Sequence, residues 1–504
     1  MKAVVIGAGL GGLAAAIRLA HAGYEVEVFE QSDSAGGKAG ELRAEGFRFD
    51  RGPTIVTMPF IIKELFDDIN KNISDYLQFT QLSTSTKYFY PDDTMINAYQ
   101  HNVSFAQEIA RTTEDSVESV YQFFDYARKI YELSEPIFMR RSLGQPETFM
   151  SKEAVKSLFR LRDLDTKRTM HEAISSFFND PKTIQLFDRY ATYNGSNPYL
   201  APATLNIISH VENRLGTYVL KGGMHVLVRA LEQVALEKGV TVHYNTPVQS
   251  ILIDSRNVVT GIEIPAGTIK AGIVVSNVDV NVTYQKLLED TSSQPAKKYA
   301  RLEPSTSALV FFWGVKKDEE VARASKNMEI HNILFSQNYR KEFQQLFIEK
   351  IYPDDLTVYL YISSKFVPGD APDGFENWYV MVNAPYVNSK YANEYQDEEE
   401  LLASLKTGIL HKIHTVLGID LTSKIVFEER LSPQMIASKT GSFLGSLYGI
   451  SSNSRFSAFL RQHNRSKKYN GLYFCGGSAH PGGGIPLVLL SGKIVADLVM
   501  KYHG

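Results

Sequence analysis

The chain has 504 residues, 44% of them hydrophobic and 22% charged, which suffices for two or three domains around sizeable cores. Its formal net charge of −3 offers no basic field to nucleic acid, and no such partner is expected. The single cysteine, Cys475, excludes an internal disulfide and any multi-cysteine metal site, and no metal is expected.

The first thirty residues carry the strongest signal. Ala3 to Ile6 is a short apolar run of the buried parallel-strand type. Gly7, Gly9 and Gly12 then form G-x-G-x-x-G where a strand should turn into a helix, and Leu13 to Ala20 is rich in helix formers. Gly23 ends that helix, Glu25 to Phe29 reads as a second strand, and Glu30 follows Gly12 by 18 residues. Such glycines let the backbone approach a pyrophosphate at a helix N-terminus, and such an acid takes a ribose hydroxyl. A bound dinucleotide is expected; the alternative is a βαβ unit whose glycines serve packing alone. The motif begins at residue 3, so no signal peptide is expected. No run reaches the roughly 18–20 apolar residues of a membrane span, so any lipid contact should be peripheral.

Beyond Glu30, Gly36-Gly37-Lys38 suggests a turn that brings backbone and one cation to a phosphate or ribityl chain. Phe47 and Phe49 alternate as in a strand, and Gly52-Pro53-Thr54 makes a rigid turn after it. Residues 55 to about 215 read as mostly helical. Within them, Ile137 to Arg162 has six Lys/Arg against two acids, with Val155, Leu158, Phe159 and Leu161 on one helical face. It reads either as a solvated amphipathic helix or as a patch that rests on a membrane surface.

Leu220-Lys221-Gly222-Gly223-Met224 opens a helix from His225 to Lys238, and Thr241 to Val248 reads as a strand. Ile251–Asp254 and Val258–Ile264 suggest a hairpin pair, and Ala271 to Asn277 another buried strand. Ser307–Gly314 and Leu356–Ile362 alternate aromatics and suggest the sheet of a second domain. Gly471 to Cys475 is a buried strand, Gly476 to Pro486 a glycine-rich loop, and Leu487 to Tyr502 a helix with Pro486 in its first turn. That loop aims N–H groups and a helix dipole at something electron-rich, unless it is only a connector.

Gly-Gly-Ser-Ala-His480-Pro-Gly-Gly-Gly-Ile-Pro486, the N-terminal fingerprint and Leu220-Lys-Gly-Gly-Met-His-Val-Leu-Val228 together resemble the bacterial and fungal phytoene desaturase family of carotenoid desaturases. The likeness covers essentially the whole chain. It implies an α/β fold: a Rossmann-type FAD-binding domain of the amine-oxidase-like, two-dinucleotide kind, a substrate-binding sheet domain and a helical cap. The corresponding segments would be 1–55, 215–300 and 455–504, then 301–454, and 56–214 for the membrane-facing cap. By the same likeness the cofactor is FAD. Its ADP half would be held by Gly7, Gly9, Gly12, Glu30, Gly37 and Lys38, with the adjoining Leu10, Gly11 and Gln31. Gly52, Pro53, Thr54, Gly477, Ser478, Ile485 and Pro486 would lie by the ribityl–flavin half, and Val248 by the adenine. Most relatives have Arg where Lys38 stands, which favours a point charge over a bidentate contact.

The chain continues Gly-Ile-Pro with Leu487-Val-Leu-Leu-Ser491-Gly, a variant similar to the branch that desaturates hydroxylated carotenoids at the 3,4 position. The implied reaction takes hydride to the flavin and a proton to a base or water, with quinone or oxygen as electron acceptor. His480 is the nearest titratable residue by motif, although a histidine in a Gly/Pro loop is more often structural. The alternatives are a phytoene desaturase, a reduced-FAD carotenoid isomerase, an amine oxidase and a Rab-escort-like binding protein. The expected setting is cytoplasmic, peripherally attached to the cytoplasmic membrane, with a carotenoid as substrate.

Overall fold

The computed structural model describes residues 1–150, 160–387, 398–454, 456 and 460–504. Five parallel strands form the first sheet, in the order Thr241–His243, Glu25–Phe29, Lys2–Ile6, Ile273–Ser276, Leu472–Phe474. Both faces are covered, which is why the central strands Lys2–Ile6 and Ile273–Ser276 are runs of Val and Ile rather than alternating ones. The helices Leu10–His21, His225–Glu237 and Ile485–His503 pack on one face through Leu13, Ile17, Leu231, Leu489 and Val495. The antiparallel strands Ser250–Ile253, Val259–Ile264 and Gly267–Lys270 lie over the other.

The helix Ile485–His503 begins two residues before the expected Leu487 and seats closely on Leu10–His21. Gly492 permits this, since a Cβ there would fall 2.7 Å from the Gly11 carbonyl oxygen.

The second sheet has seven strands, in the order Ile425–Leu431, Ser307–Lys316, Phe375–Ala384, Val358–Tyr361, His331–Leu334, Thr84–Phe89, Met95–Tyr99. The aromatic strands expected near 307 and 356 are both there. The last two strands correct the helical reading of residues 55 to 215. Thr84-Ser-Thr-Lys-Tyr-Phe89 is rich in β-branched and aromatic residues and pairs with His331–Leu334, far away in sequence. One face of the sheet, with Leu309, Trp313, Leu334, Leu360 and Trp378, is covered by the helix Glu398–Leu417. The opposite face carries Tyr88, His331, Tyr359, Tyr361 and Tyr379 and turns toward the first sheet.

Between the two sheets lies the hairpin Glu41–Ala44/Phe47–Asp50, closed by Glu45 and Gly46 at φ 50° and 82°. Phe47 and Phe49 pack against Phe312 and Phe427 of the second sheet.

The described residues of the stretch 137–162 do not form a single helix. A π-turn spans Glu135–Met139 and a short helix spans Pro146–Phe149. Ile137 is buried, and Arg140 pairs with Glu64 and Glu135, so neither is free to meet a lipid headgroup. Phe149 and Met150 are exposed, Met150 by 79%. The expected face of Val155, Leu158 and Phe159 lies outside the described residues, and for Leu161 only the backbone is described. Among the described residues no helix is long and apolar enough to cross a membrane.

Candidate cofactor and substrate site

The glycine fingerprint forms the turn its spacing requires. Gly7 adopts φ +95° and donates its N–H to the Phe29 carbonyl, which ties the loop to the second strand. Gly9 caps the helix Leu10–His21, whose first turn, with Leu10, Gly11 and Gly12, contains no acidic residue. The N–H groups of that end therefore face an anion site with no competing charge. Gly12 has no room for a side chain: its Cβ would sit 2.2 Å from the Gly7 carbonyl oxygen.

Glu30 is buried at the end of the second strand. Its carboxylate accepts from the N–H of Ala8 at 2.8 Å and of Ser32 at 2.9 Å, which hold it beside the loop. Gln31, next to it, is exposed. Thr246 donates its backbone N–H to the Glu30 carbonyl. Val248, two residues on, lies in an extended connection rather than in the strand, which ends at His243; only those three residues find a ladder partner.

Gly36 bonds back to Ala8, and Gly37 and Lys38 form a single 3-10 turn. The Lys38 ammonium donates to the carbonyls of Ser446 at 2.9 Å and Leu447 at 2.8 Å and faces the half-buried Asp279. Burial lowers its pKa to about 8, against the pull of Asp279. Lys38 thus ties the turn to a distant loop, with no phosphate contact needed to explain its place.

Gly52 stacks on the same turn, for a Cβ there would lie 1.8 Å from the Lys38 carbonyl oxygen. Pro53 and Thr54 follow, and the Thr54 hydroxyl meets the Tyr359 hydroxyl at 2.6 Å.

The C-terminal loop completes the cradle. Gly477 and Ser478 are part-exposed, and Ser478 Oγ accepts from the Val280 N–H at 3.0 Å. Ile485 and Pro486 make the first turn of the last helix, capped by Gly484 at φ +103°. A Cβ on Gly484 would meet no protein atom within 4 Å, so backbone lines an open face just where the helix dipole points.

His480 has a structural task. Its ring is buried, Nε2 bonds the Arg141 carbonyl at 2.8 Å, and burial lowers its pKa to about 4. The backbone carbonyl of His480 accepts from Asn464 and from Ser491, each at 2.7 Å. Neutral and engaged in this way, it clamps the glycine loop to residue 141 and the last helix.

Several residues that sequence reasoning passed over organise the site. Asn277 lies between the two glycine loops: a Cβ on Gly9, Gly11 or Gly476 would come within 2.8 Å of its amide. Arg48, buried in the hairpin, pairs with Glu41 at 2.9 Å, Asp50 at 2.5 Å and Asp370 at 3.1 Å. Gly223 is explained by this cluster, since a Cβ there would overlap the Arg48 guanidinium. Asp50 also accepts from the Met224 N–H at 2.9 Å, and burial raises its pKa to about 6, opposed by Arg48. His331 is fully buried on the second sheet; its Nδ1 bonds the Tyr359 hydroxyl at 2.7 Å. Nearby, the buried Arg189 donates to the Tyr88 hydroxyl at 2.7 Å and pairs with Glu212 at 3.4 Å. Arg48, Asp50, Gly223 and Asn277 stand in stretches with a readable pattern, but their roles do not show there, because Asp370, Met224 and the facing glycine loops lie far along the chain.

A glycine-lined helix start with a ribose-side acid, and a second glycine loop at a second helix start, fit the two ends of an extended dinucleotide. Residues 10–500 match the family described as flavin containing amine oxidoreductase. The chain belongs to that family. It is 41% identical over 99% of both chains to the 1-hydroxycarotenoid 3,4-desaturase of a Flavobacterium species. It is 33% identical over 99% of its length, and 97% of the relative's, to a 4,4'-diaponeurosporene oxygenase of Staphylococcus haemolyticus. Among solved structures, an oxidoreductase from Methanosarcina mazei has the same fold, at TM-score 0.64 and 18% identity over 99% of this chain and all of that one. The expected resemblance to carotenoid desaturases and the expected α/β flavoprotein fold both stand, and the chain is a flavin-dependent oxidoreductase.

Proposed function

We propose that the chain is an FAD-dependent desaturase of a hydroxylated acyclic or monocyclic carotenoid, acting at the 3,4 position. The observation that carries this is the 41% identity, sustained over 99% of both chains, to a desaturase of that specificity. The C-terminal loop supports it: Ser491, in the Leu-Val-Leu-Leu-Ser-Gly variant, donates to the His480 carbonyl, and Gly492 seats the last helix.

Bound in the cradle, a flavin supplies a two-electron acceptor: one C–H bond yields hydride, its neighbour a proton, and a C=C bond forms. The protein's share is positioning. Gly9 and the following turn would hold the pyrophosphate, Glu30 the ribose hydroxyls, and the helix start at Gly484 the flavin edge, where its dipole favours negative charge. The tyrosine-bearing sheet face, backed by the apolar layer beneath it, would hold the polyene against the ring and exclude water. Quinone or oxygen would take the electrons afterwards. The substrate would be drawn from a membrane surface on the cytoplasmic side, with Phe149 and Met150 entering the acyl boundary.

Incubating the FAD-loaded protein with liposomes that contain acyclic, hydroxylated or monocyclic carotenoids tests the reading. A hydroxylated carotenoid should gain one conjugated double bond faster than its deoxy counterpart. An oxygen-containing product would favour the chemistry named for the staphylococcal relative, and a geometric isomer alone would favour isomerisation.

A further inference from the structure

The second sheet turns a row of polar aromatics toward the cofactor site, and most of them are already engaged. Tyr88 is taken by Arg189, and Tyr361 donates to Asp50 at 3.3 Å. Tyr359 differs in being only partly buried, whereas Tyr88, Tyr361 and Tyr379 are at most 5% exposed. Its hydroxyl lies between Thr54 Oγ1 at 2.6 Å and His331 Nδ1 at 2.7 Å. A phenol has one proton and two lone pairs. Those two neighbours use the proton and one lone pair, which leaves one acceptor position for an incoming O–H.

His331 fixes this geometry. It is wholly buried and stacks on Tyr361 with ring centroids 5.0 Å apart. Burial, helped by the Arg189 charge, lowers its pKa to about 3, so the ring stays neutral. Among the described residues its Nε2 has no hydrogen-bond partner. A polar chain of this kind on a face meant for hydrocarbon is costly unless it recognises something polar.

Resting on the reading under Proposed function, we propose that Tyr359, with Thr54, forms the subsite for the substrate's hydroxyl group, and that His331 positions the Tyr359 phenol. Such a subsite would have to lie beside the flavin. In a 1-hydroxy substrate desaturated at C3–C4 the oxygen is three bonds from C3, within roughly 4 Å at about 1.5 Å per bond. Thr54 lies in the turn that adjoins the cofactor cradle, and Tyr359 is its hydrogen-bonded partner on the substrate side. A deoxy substrate would leave this pair unmatched, which is how a site discriminates by a hydroxyl.

The test compares wild type, Tyr359→Phe, His331→Leu and His331→Asn, all FAD-loaded, with a hydroxylated carotenoid and its deoxy counterpart in liposomes. Flavin occupancy and its absorption spectrum report folding in each. Dissociation constants and kcat/KM are measured for both carotenoids. Tyr359→Phe should lower the preference for the hydroxylated over the deoxy carotenoid, in binding and in kcat/KM, by about five- to thirtyfold, the equivalent of one lost hydrogen bond. His331→Leu should lower the hydroxyl preference, and His331→Asn, whose amide stands where Nδ1 bonds the phenol, should restore most of it. A flavin-loaded Tyr359→Phe variant that keeps the wild-type preference overturns the subsite while leaving the hydroxycarotenoid reading intact. A wild-type enzyme without that preference overturns both.

Discussion

Gly12→Ala is expected to bind FAD at least about a hundredfold more weakly than the wild-type apo-protein. The added methyl would lie 2.2 Å from the Gly7 carbonyl oxygen, which is backbone and has no rotamer to escape into. Relief requires either lifting the helix Leu10–His21 off the first strand or flattening the Gly7 turn, and Asn277, 3.2 Å from the same methyl, obstructs the adjustment. Both movements displace the N–H groups aimed at the pyrophosphate. Forcing packed elements apart costs up to about 3 kcal/mol or more, which sets the hundredfold scale. Gly23→Ala is the control. Unlike Gly12 it stands at positive φ, +90°, and its Cβ would meet nothing within 4 Å. Strain of about 1 kcal/mol in stability, with FAD affinity retained, is expected there. Titration of both apo-proteins with FAD decides the matter; equal affinities would remove the Gly12 contact from the account.

The second large effect lies at Arg48. It stands between Glu41, Asp50 and Asp370, with Asp50 and Asp370 each 1% exposed. Arg48→Met keeps the volume and removes the charge, leaving two buried carboxylates close together without a cation. Breaking a buried ion cluster in this way costs about 3–5 kcal/mol. The loss should be read as a lower denaturation midpoint and as weaker flavin retention, because Asp50 also holds the Met224 N–H at the start of the helix His225–Glu237. Adding Asp50→Asn and Asp370→Asn to Arg48→Met should recover part of the stability, since neutral amides do not repel. A stability change below about 1 kcal/mol in the single variant would contradict the role given to this cluster.

The contrast between these two sites explains what could be read from the chain alone. The Gly7–Gly12 fingerprint, Glu30 and the loop before the last helix are local patterns, in which neighbouring residues enforce one another's geometry. Arg48, Asp50 and Asp370 carry no such pattern: Arg48 and Asp370 lie 322 residues apart. The pair Thr54–Tyr359 is separated by 305 residues, so the sequence offered nothing to join them. The strands Thr84–Phe89 and Met95–Tyr99 were hidden for a related reason. Thr84–Phe89 pairs with His331–Leu334, more than two hundred residues further on, and Met95–Tyr99 joins the sheet only through Thr84–Phe89. Lys38 shows the opposite failure, in which the motif was legible but the partner was not. A lysine with two carbonyls and Asp279 around it is fully engaged by the protein. Likewise Arg140 was legible as a cation, but Glu64, its partner, lies 76 residues earlier.

The central claim is that the two glycine loops hold an FAD that oxidises a hydroxylated carotenoid. Anaerobic mixing of the FAD-loaded protein with that carotenoid in liposomes tests it most directly, with flavin absorbance and product followed together. The account predicts that the oxidised-flavin band bleaches in step with a product that has lost two hydrogens and gained one conjugated double bond. Product of unchanged hydrogen count, or no bleaching while the carotenoid is bound, would contradict it.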